Sequence, residues 1–267
     1  MVVGIIPAAG KGTRLRPVTD FMPKELLLYG GKPFIGHCVD SLKSVGLDKV
    51  VVVVGHQKGV IMDYLKDGGA FGVDIHYAYQ TSPKGLGDAI LAARTKAENG
   101  EPLFILLADD VVEPKTELSN LLYFFDKLDP FGFVLVEEVD DPSHFGVVNV
   151  ENFDGNVARI TEFFEKPTKP QQARFKKNGK FYVICGSYII SNRIFEYLRE
   201  TPSGKNDEVQ LTDALQLALV RGEKIYAYKL DGKRIEVGNP KNYLLEQYYF
   251  FKEKDKEDIE ELSKDWG

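Results

Sequence analysis

The run Lys49-Val-Val-Val-Val-Val54 constrains this chain more than any other segment. Successive side chains of a strand point to opposite faces, so a stretch apolar at every position cannot lie on a half-exposed sheet. β-Branched residues are stiff in a helix and suit a strand. A strand apolar on both faces belongs inside a parallel sheet covered by helices on each side.

Neighbouring segments fit that demand. Residues 2–6 form a short apolar strand, stopped by Pro7 and Gly10. Pro33 opens a helical pattern through Phe34, Cys38, Leu42 and Val45, and Gly46 closes it. A short helix at Val60, Ile61, Tyr64 and Leu65 precedes a strand over 73–79, a helix over 86–97 and a buried strand over 103–107. Leu118, Leu121, Leu122, Phe125 and Leu128 mark the next helix face. Strands alternating with helices at this spacing imply right-handed crossovers and an α/β fold with an open, mostly parallel sheet flanked by helices.

The second half reads as an added mixed sheet. Residues 133–139, 146–150, 157–164 and 182–190 are strand-like, 193–198 and 209–220 helical, and 225–230 and 234–237 strand-like again. These strands are expected to extend the sheet and wall one side of a cleft. The expected organisation is residues 1–240 as one unit, its first part about 1–130 and its second about 131–240, then a C-terminal helix over 241–267. That helix turns strongly charged after Lys252, and Tyr248-Tyr-Phe-Phe251 suits a subunit contact.

Thirty-four Lys and Arg against 40 Asp and Glu give a net charge of −6, which argues against a general nucleic-acid or anionic-membrane binder. The two cysteines, Cys38 and Cys185, form no CxxC pattern, so neither a disulfide framework nor a thiolate zinc site is expected. No apolar run approaches the ~20 residues that span a bilayer. The N-terminal apolar stretch lacks the basic start of a secretory signal, and the expected location is cytoplasmic.

In open α/β sheets ligands bind beyond the carboxyl ends of the strands, which points to the turns after residues 6, 79 and 107. In Ala8-Ala-Gly-Lys-Gly-Thr-Arg14 two glycines allow close backbone approach, free N–H groups can cradle an anion, and Arg14 adds a bidentate fork. The segment is neither a Walker A loop nor GxGxxG. Taken alone it suits a tight strand-to-loop connection with a solvated arginine equally well.

Residues 9–17, Thr19 and Pro23-Lys-Glu-Leu-Leu27 resemble the signature of the sugar-1-phosphate nucleotidylyltransferase family, in the form of its bacterial-type UTP–glucose-1-phosphate uridylyltransferase branch. Further matches follow in order: Gln80 with Lys84-Gly-Leu-Gly-Asp-Ala89, Leu107-Ala-Asp-Asp110, Phe145-Gly-Val147, Glu165-Lys-Pro167, Gly204 with Asp207-Glu-Val-Gln-Leu-Thr-Asp-Ala214, and Gly238-Asn239. The resemblance implies a Rossmann-like fold and uridylyl transfer from UTP to glucose 1-phosphate with Mg²⁺. Dimers or tetramers of identical chains are implied as well.

The resemblance also implies roles. Arg14 and Lys24 serve catalysis at the phosphates. Ala8, Ala9, Gly10, Gly12, Thr13, Gln80 and Gly85 bind the nucleotide. Gly146, Glu165 and Lys166 bind the sugar phosphate, and Asp109 and Glu236 hold the metal. Glu236 stands where the family usually has Asp, so its longer arm must be accommodated. The Gln80 amide offers N–H and C=O side by side to a uracil edge, while Asp88 reads as a helix cap. Two other readings share these residues: a thymidylyl- or other sugar nucleotidylyltransferase, and a non-catalytic nucleotide-sugar-binding regulatory subunit.

Overall fold

A computed structural model describes residues 2–97, 100–177, 179–204 and 207–253. In chain order the first half contains β1 (Val3–Ala8), β2 (Leu28–Tyr29), β3 (Lys32–Pro33), α1 (Phe34–Ser44), β4 (Lys49–Val54), α2 (Lys58–Leu65), β5 (Asp74–Tyr79), α3 (Leu86–Ala92), β6 (Leu103–Leu106), β7 (Asp110–Glu113) and α4 (Thr116–Leu128). The second half contains β8 (Gly132–Val139), β9 (Gly146–Val150), β10 (Val157–Glu165), α5 (Lys169–Gln172), β11 (Phe181–Ile190), α6 (Ile194–Glu200), α7 (Leu211–Val220), β12 (Ile225–Lys229), β13 (Lys233–Glu236) and α8 (Pro240–Glu253).

The main sheet has nine strands in the order β5-β4-β1-β6-β11-β8-β12-β10-β9. The first four run parallel. β11 is antiparallel to β6 and β8, β12 is parallel to β8, and β10 is antiparallel to β12 and β9. The mixed strands of the second half therefore continue the first sheet edge to edge.

The valine run is divided as its alternation demands. Val51 and Val53 join Val3 and Ile5 in a core closed by Ile90, Leu198 and Leu215 of α3, α6 and α7. Val50, Val52 and Val54 join Ile6 and Ala8 in a second core closed by Leu42, Leu65 and Leu121 of α1, α2 and α4. All five valines are buried, and each contributes on the order of 1.5 kcal/mol or more. No described helix is long and apolar enough to cross a membrane.

Three differences from the sequence reading affect the cleft. The helix expected from residue 209 begins at Leu211, because Gln210 is extended and Val209 is bonded outside the helix: the Val209 N–H donates to the Lys84 carbonyl and its own carbonyl accepts from Gly87 N–H. The helix expected over 86–97 ends at Ala92 and gives way to a 3-10 turn at Arg94–Lys96. β7 was not foreseen; it pairs with β13 as a separate two-stranded sheet, Glu236 opposite Asp110. Of the C-terminal helix, α8 covers 240–253, and the expected remainder lies outside the described residues.

Candidate active site

The carboxyl ends of β1, β5 and β6 open onto a cleft of about 550 Å³, bordered by Ala9, Gly10, Arg14, Lys24, Gln80 and Asp109 among others. Gly12 and Thr13 also line it. Gly12 has φ +62°, and a Cβ there would lie 2.8 Å from Thr19 Cγ2, so both its conformation and its space favour glycine. Thr19 Oγ1 donates to the Gly12 carbonyl at 2.8 Å, fixing the turn. Arg14 follows in the 3-10 turn Thr13–Leu15 and stays exposed at the cleft rim.

Ala8 does not line the cleft. Its side chain sits in the core among Leu42, Val52 and Ile61, because it points to the opposite face of β1 from its neighbours. Pro7 and Ala9 form the cleft wall instead.

Lys24 begins a 3-10 turn at Lys24–Leu26, and its ammonium pairs with the Asp109 carboxylate. Burial alone would lower the Lys24 pKa, but Asp109 and Glu25 outweigh it and hold the amine above its ordinary value. Burial alone would raise the Asp109 pKa, yet Lys24 holds that carboxyl below its usual range. The pair is thus fully charged at neutral pH. The next side chain, Glu25, is 1% exposed. Burial pushes its pKa up to about 7, Lys24 opposing, and no described residue donates to its Oε2.

At the other end of the cleft, Gln80 closes β5 and is 6% exposed. Its Nε2 donates to the Gly85 carbonyl at 3.1 Å and to Asp88 Oδ2 at 2.7 Å. Gly85 has φ +96°, and a Cβ there would lie 2.6 Å from the Val209 carbonyl oxygen. Asp88 does not cap α3; it lies in the helix's first turn, the N-cap is Gly85, and its carboxylate takes the Gln80 amide.

A second cavity, about 480 Å³, adjoins the first and shares Arg14 and Asp109 with it. Gly146, Glu165, Lys166 and Glu236 border this one. β9 and β10 place Gly146 directly opposite Glu165. Glu165 Oε2 accepts from Thr212 Oγ1 at 2.6 Å, and its Oε1 meets Lys166 Nζ at 2.9 Å. Lys166 itself has φ +45°, a left-handed conformation uncommon for a side-chain-bearing residue.

The acidic loops come together through the β7–β13 ladder, where Val237 N–H also donates to the Asp109 carbonyl at 3.0 Å. Sequence reasoning missed the cation that holds them. Arg234 is 7% exposed in its side chain and reaches Glu137 at 2.6 Å, Glu236 at 3.2 Å and Asp110 at 3.7 Å. Its guanidinium also lies 4.6 Å from the Phe145 ring centroid. Burial pushes the Asp110 pKa up to about 7, with Arg234 opposing the push and Asp109 and Glu236 adding to it. A signal was present in the sequence: Arg234 and Glu236 share one face of a strand by their two-residue spacing.

No group of three or more His, Cys, Asp or Glu side chains is arranged to hold a metal among the described residues. Asp109 and Glu236 do present hard oxygens to one cavity. Mg²⁺ is commonly held by one or two carboxylates with water and substrate phosphates completing the shell, so this donor pair fits it.

The chain matches the model of the family described as nucleotidyl transferase over residues 3–252. It is 32% identical to UTP–glucose-1-phosphate uridylyltransferase of Bacillus subtilis over 264 residues, 90% of this chain and 87% of that protein. It is 33% identical over 246 residues to UTP–glucose-1-phosphate uridylyltransferase AglF of Haloferax volcanii, 89% of this chain and 92% of that one. The crystal structure of UDP-glucose pyrophosphorylase complexed with UDP-glucose superposes with a TM-score of 0.84 at 30% identity, covering 95% of this chain and 100% of that one. With motifs, fold and paired cavities agreeing, the chain belongs to the nucleotidyl transferase family.

Proposed function

We propose that the protein transfers the uridylyl group of UTP to glucose 1-phosphate, giving UDP-glucose and pyrophosphate. The observation that carries this reading is the pair of adjoining cavities sharing Arg14 and Asp109. A nucleotide lying in the first and a sugar phosphate in the second would bring their phosphates together at that junction. The names of the relatives support the same substrates.

The chemistry needs no protein nucleophile. A phosphate oxygen of the sugar forms a bond to the α-phosphorus of UTP, the bond to the β-phosphate bridging oxygen breaks, and its electron pair leaves with pyrophosphate. The attacking oxygen is already anionic at neutral pH. The barrier lies in bringing two polyanions together and stabilising charge on the five-coordinate phosphorus, which is a task for positioning and electrostatics.

In this reading Arg14, with the N–H groups of Gly12 and Thr13, holds the departing phosphates, and Lys24 leaves Asp109 for the α-phosphate. Lys166 turns from Glu165 to the sugar phosphate, which frees Glu165 to accept from sugar hydroxyls beside Gly146. Ala9, Gly10, Gln80 and Gly85 enclose the base. Asp109 and Glu236 would hold Mg²⁺, which when bound neutralises phosphate charge. The exposed apolar side chains of α8, Leu244 and Tyr248 among them, suit contact with another subunit.

Pyrophosphate release should be measured with UTP, dTTP, CTP and GTP against a panel of sugar 1-phosphates, with and without Mg²⁺. UTP with glucose 1-phosphate and Mg²⁺ should give the highest rate. A dTTP preference of about tenfold or more would replace this reading with thymidylyl transfer. Tight binding with no pyrophosphate from any pair would leave a non-catalytic sensor.

A further inference from the structure

The hydrogen bonds of Gln80 reach beyond holding a side chain in place. Both protons of its amide nitrogen are spent on acceptors: the Gly85 carbonyl at 3.1 Å and Asp88 Oδ2 at 2.7 Å. Neither partner can donate, so the opposite amide orientation would set the Gln80 oxygen against two other oxygens. No described residue donates to Gln80 Oε1. Asp88 itself is not among the residues lining the cleft, whereas Gln80 and Gly85 are.

We infer that Asp88 is a positioning residue for base selection: with Gly85 it locks the Gln80 amide so that only a carbonyl oxygen faces the nucleotide, and the site accepts bases carrying a ring N–H donor at that edge. The inference rests on the uridylyl-transfer reading and names how that site rejects a competitor. Uracil and thymine carry N3–H and satisfy Oε1. Cytosine presents a bare N3 lone pair to the same oxygen, leaving two acceptors facing each other in a desolvated pocket. A site built around one such hydrogen bond rejects the analogue that cannot make it more strongly than a merely shaped pocket does. Discrimination thus lies in a carboxylate behind the wall, which spends one amide proton, while the Gly85 carbonyl spends the other.

The test compares kcat/KM for UTP and CTP, with glucose 1-phosphate and Mg²⁺, in the unaltered protein, Asp88→Leu and Asp88→Asn. Leucine keeps the bulk and removes the acceptor, freeing one of the two restraints on the amide. Asparagine keeps an acceptor oxygen for the Gln80 N–H. The UTP-to-CTP ratio should fall about tenfold or more in Asp88→Leu, mostly through KM, and should stay within about threefold of the original in Asp88→Asn. An unchanged ratio in Asp88→Leu, or equal losses on both nucleotides, overturns the inference while leaving uridylyl transfer standing. An unaltered protein inert with UTP brings down the underlying reading instead. Thermal melting checks that each variant folds. Should Asp88→Leu fail to fold, Asp88→Ala is read by the same ratio.

Discussion

Lys24 and Asp109, 85 positions apart in the chain, meet as an ion pair at the junction of two cavities. The pair keeps both groups charged and pre-positioned in a partly buried place, so little rearrangement is needed when a phosphate arrives to compete for the ammonium.

Replacing Lys24 with alanine should lower kcat by about 10²–10³, the usual effect of removing one well-placed charge-stabilising donor. The KM for UTP should change far less, because in the proposed reading Arg14 and the turn still hold the distal phosphates. Steady-state kinetics with UTP varied at saturating glucose 1-phosphate will tell; near-normal turnover would remove Lys24 from the mechanism.

Lys166→Ala should act on the other substrate. Its ammonium is 2.9 Å from Glu165, and the residue borders the second cavity but not the first. The KM for glucose 1-phosphate should rise about tenfold or more while that for UTP moves little. Equal rises in both constants would contradict the division of the cleft into two ends.

Arg234→Met should destabilise the protein by about 3 kcal/mol, since it leaves Asp110, with a side chain 8% exposed, and the partly buried Glu137 and Glu236 without their cation. Asp110, Glu137 and Glu236 all lie within 3.7 Å of that one guanidinium, and Glu236 also accepts from Asn242 Nδ2 at 3.3 Å. Chemical denaturation of the metal-free protein reads this directly, and a loss below about 1 kcal/mol, typical of an exposed pair, would mean the cluster is solvated in solution.

Stability should fall as pH rises from about 5 to 8 in the absence of ligands and metal. Glu25 has an ordinary pKa of 4.5, raised to about 7 in the fold by burial. Between those values the folded state binds more protons than the unfolded one, so the slope of stability with pH is negative. Asp110, raised from 3.8 to about 7, adds in the same direction. A shift of this size on Glu25 corresponds to about 3 kcal/mol. Thermal melting of the protein and of Glu25→Gln across this pH range checks it: the variant should show the shallower decline, and identical slopes would exonerate Glu25.

The parallel half of the fold was legible because its signals are local. The valine run, the glycine after α1 and the glycine turn after β1 each act within a few residues. Motif order picked out residues that line the two cavities, yet their supporting contacts were not visible. Arg234 holds Glu137 and Asp110, 97 and 124 positions away, and no periodicity reveals which distant carboxylates a strand will face. Asp88 looked like a helix cap because acidic residues favour first turns; only the return of β5 beside α3 shows that it serves Gln80. The resemblance assigned Ala8 to the nucleotide, and strand alternation placed its side chain in the core.

The β7–β13 ladder also bears on how the molecule is made. Glu236 follows Asp110, its partner across the ladder, by 126 positions. During synthesis from the N-terminus the glycine turn, Lys24 and Gln80 all leave the ribosome long before β13, so the acidic centre cannot be assembled until β13 has emerged. A nascent or truncated chain ending before residue 233 would carry its nucleotide turn intact yet have neither Arg234 nor Glu236 to complete the centre.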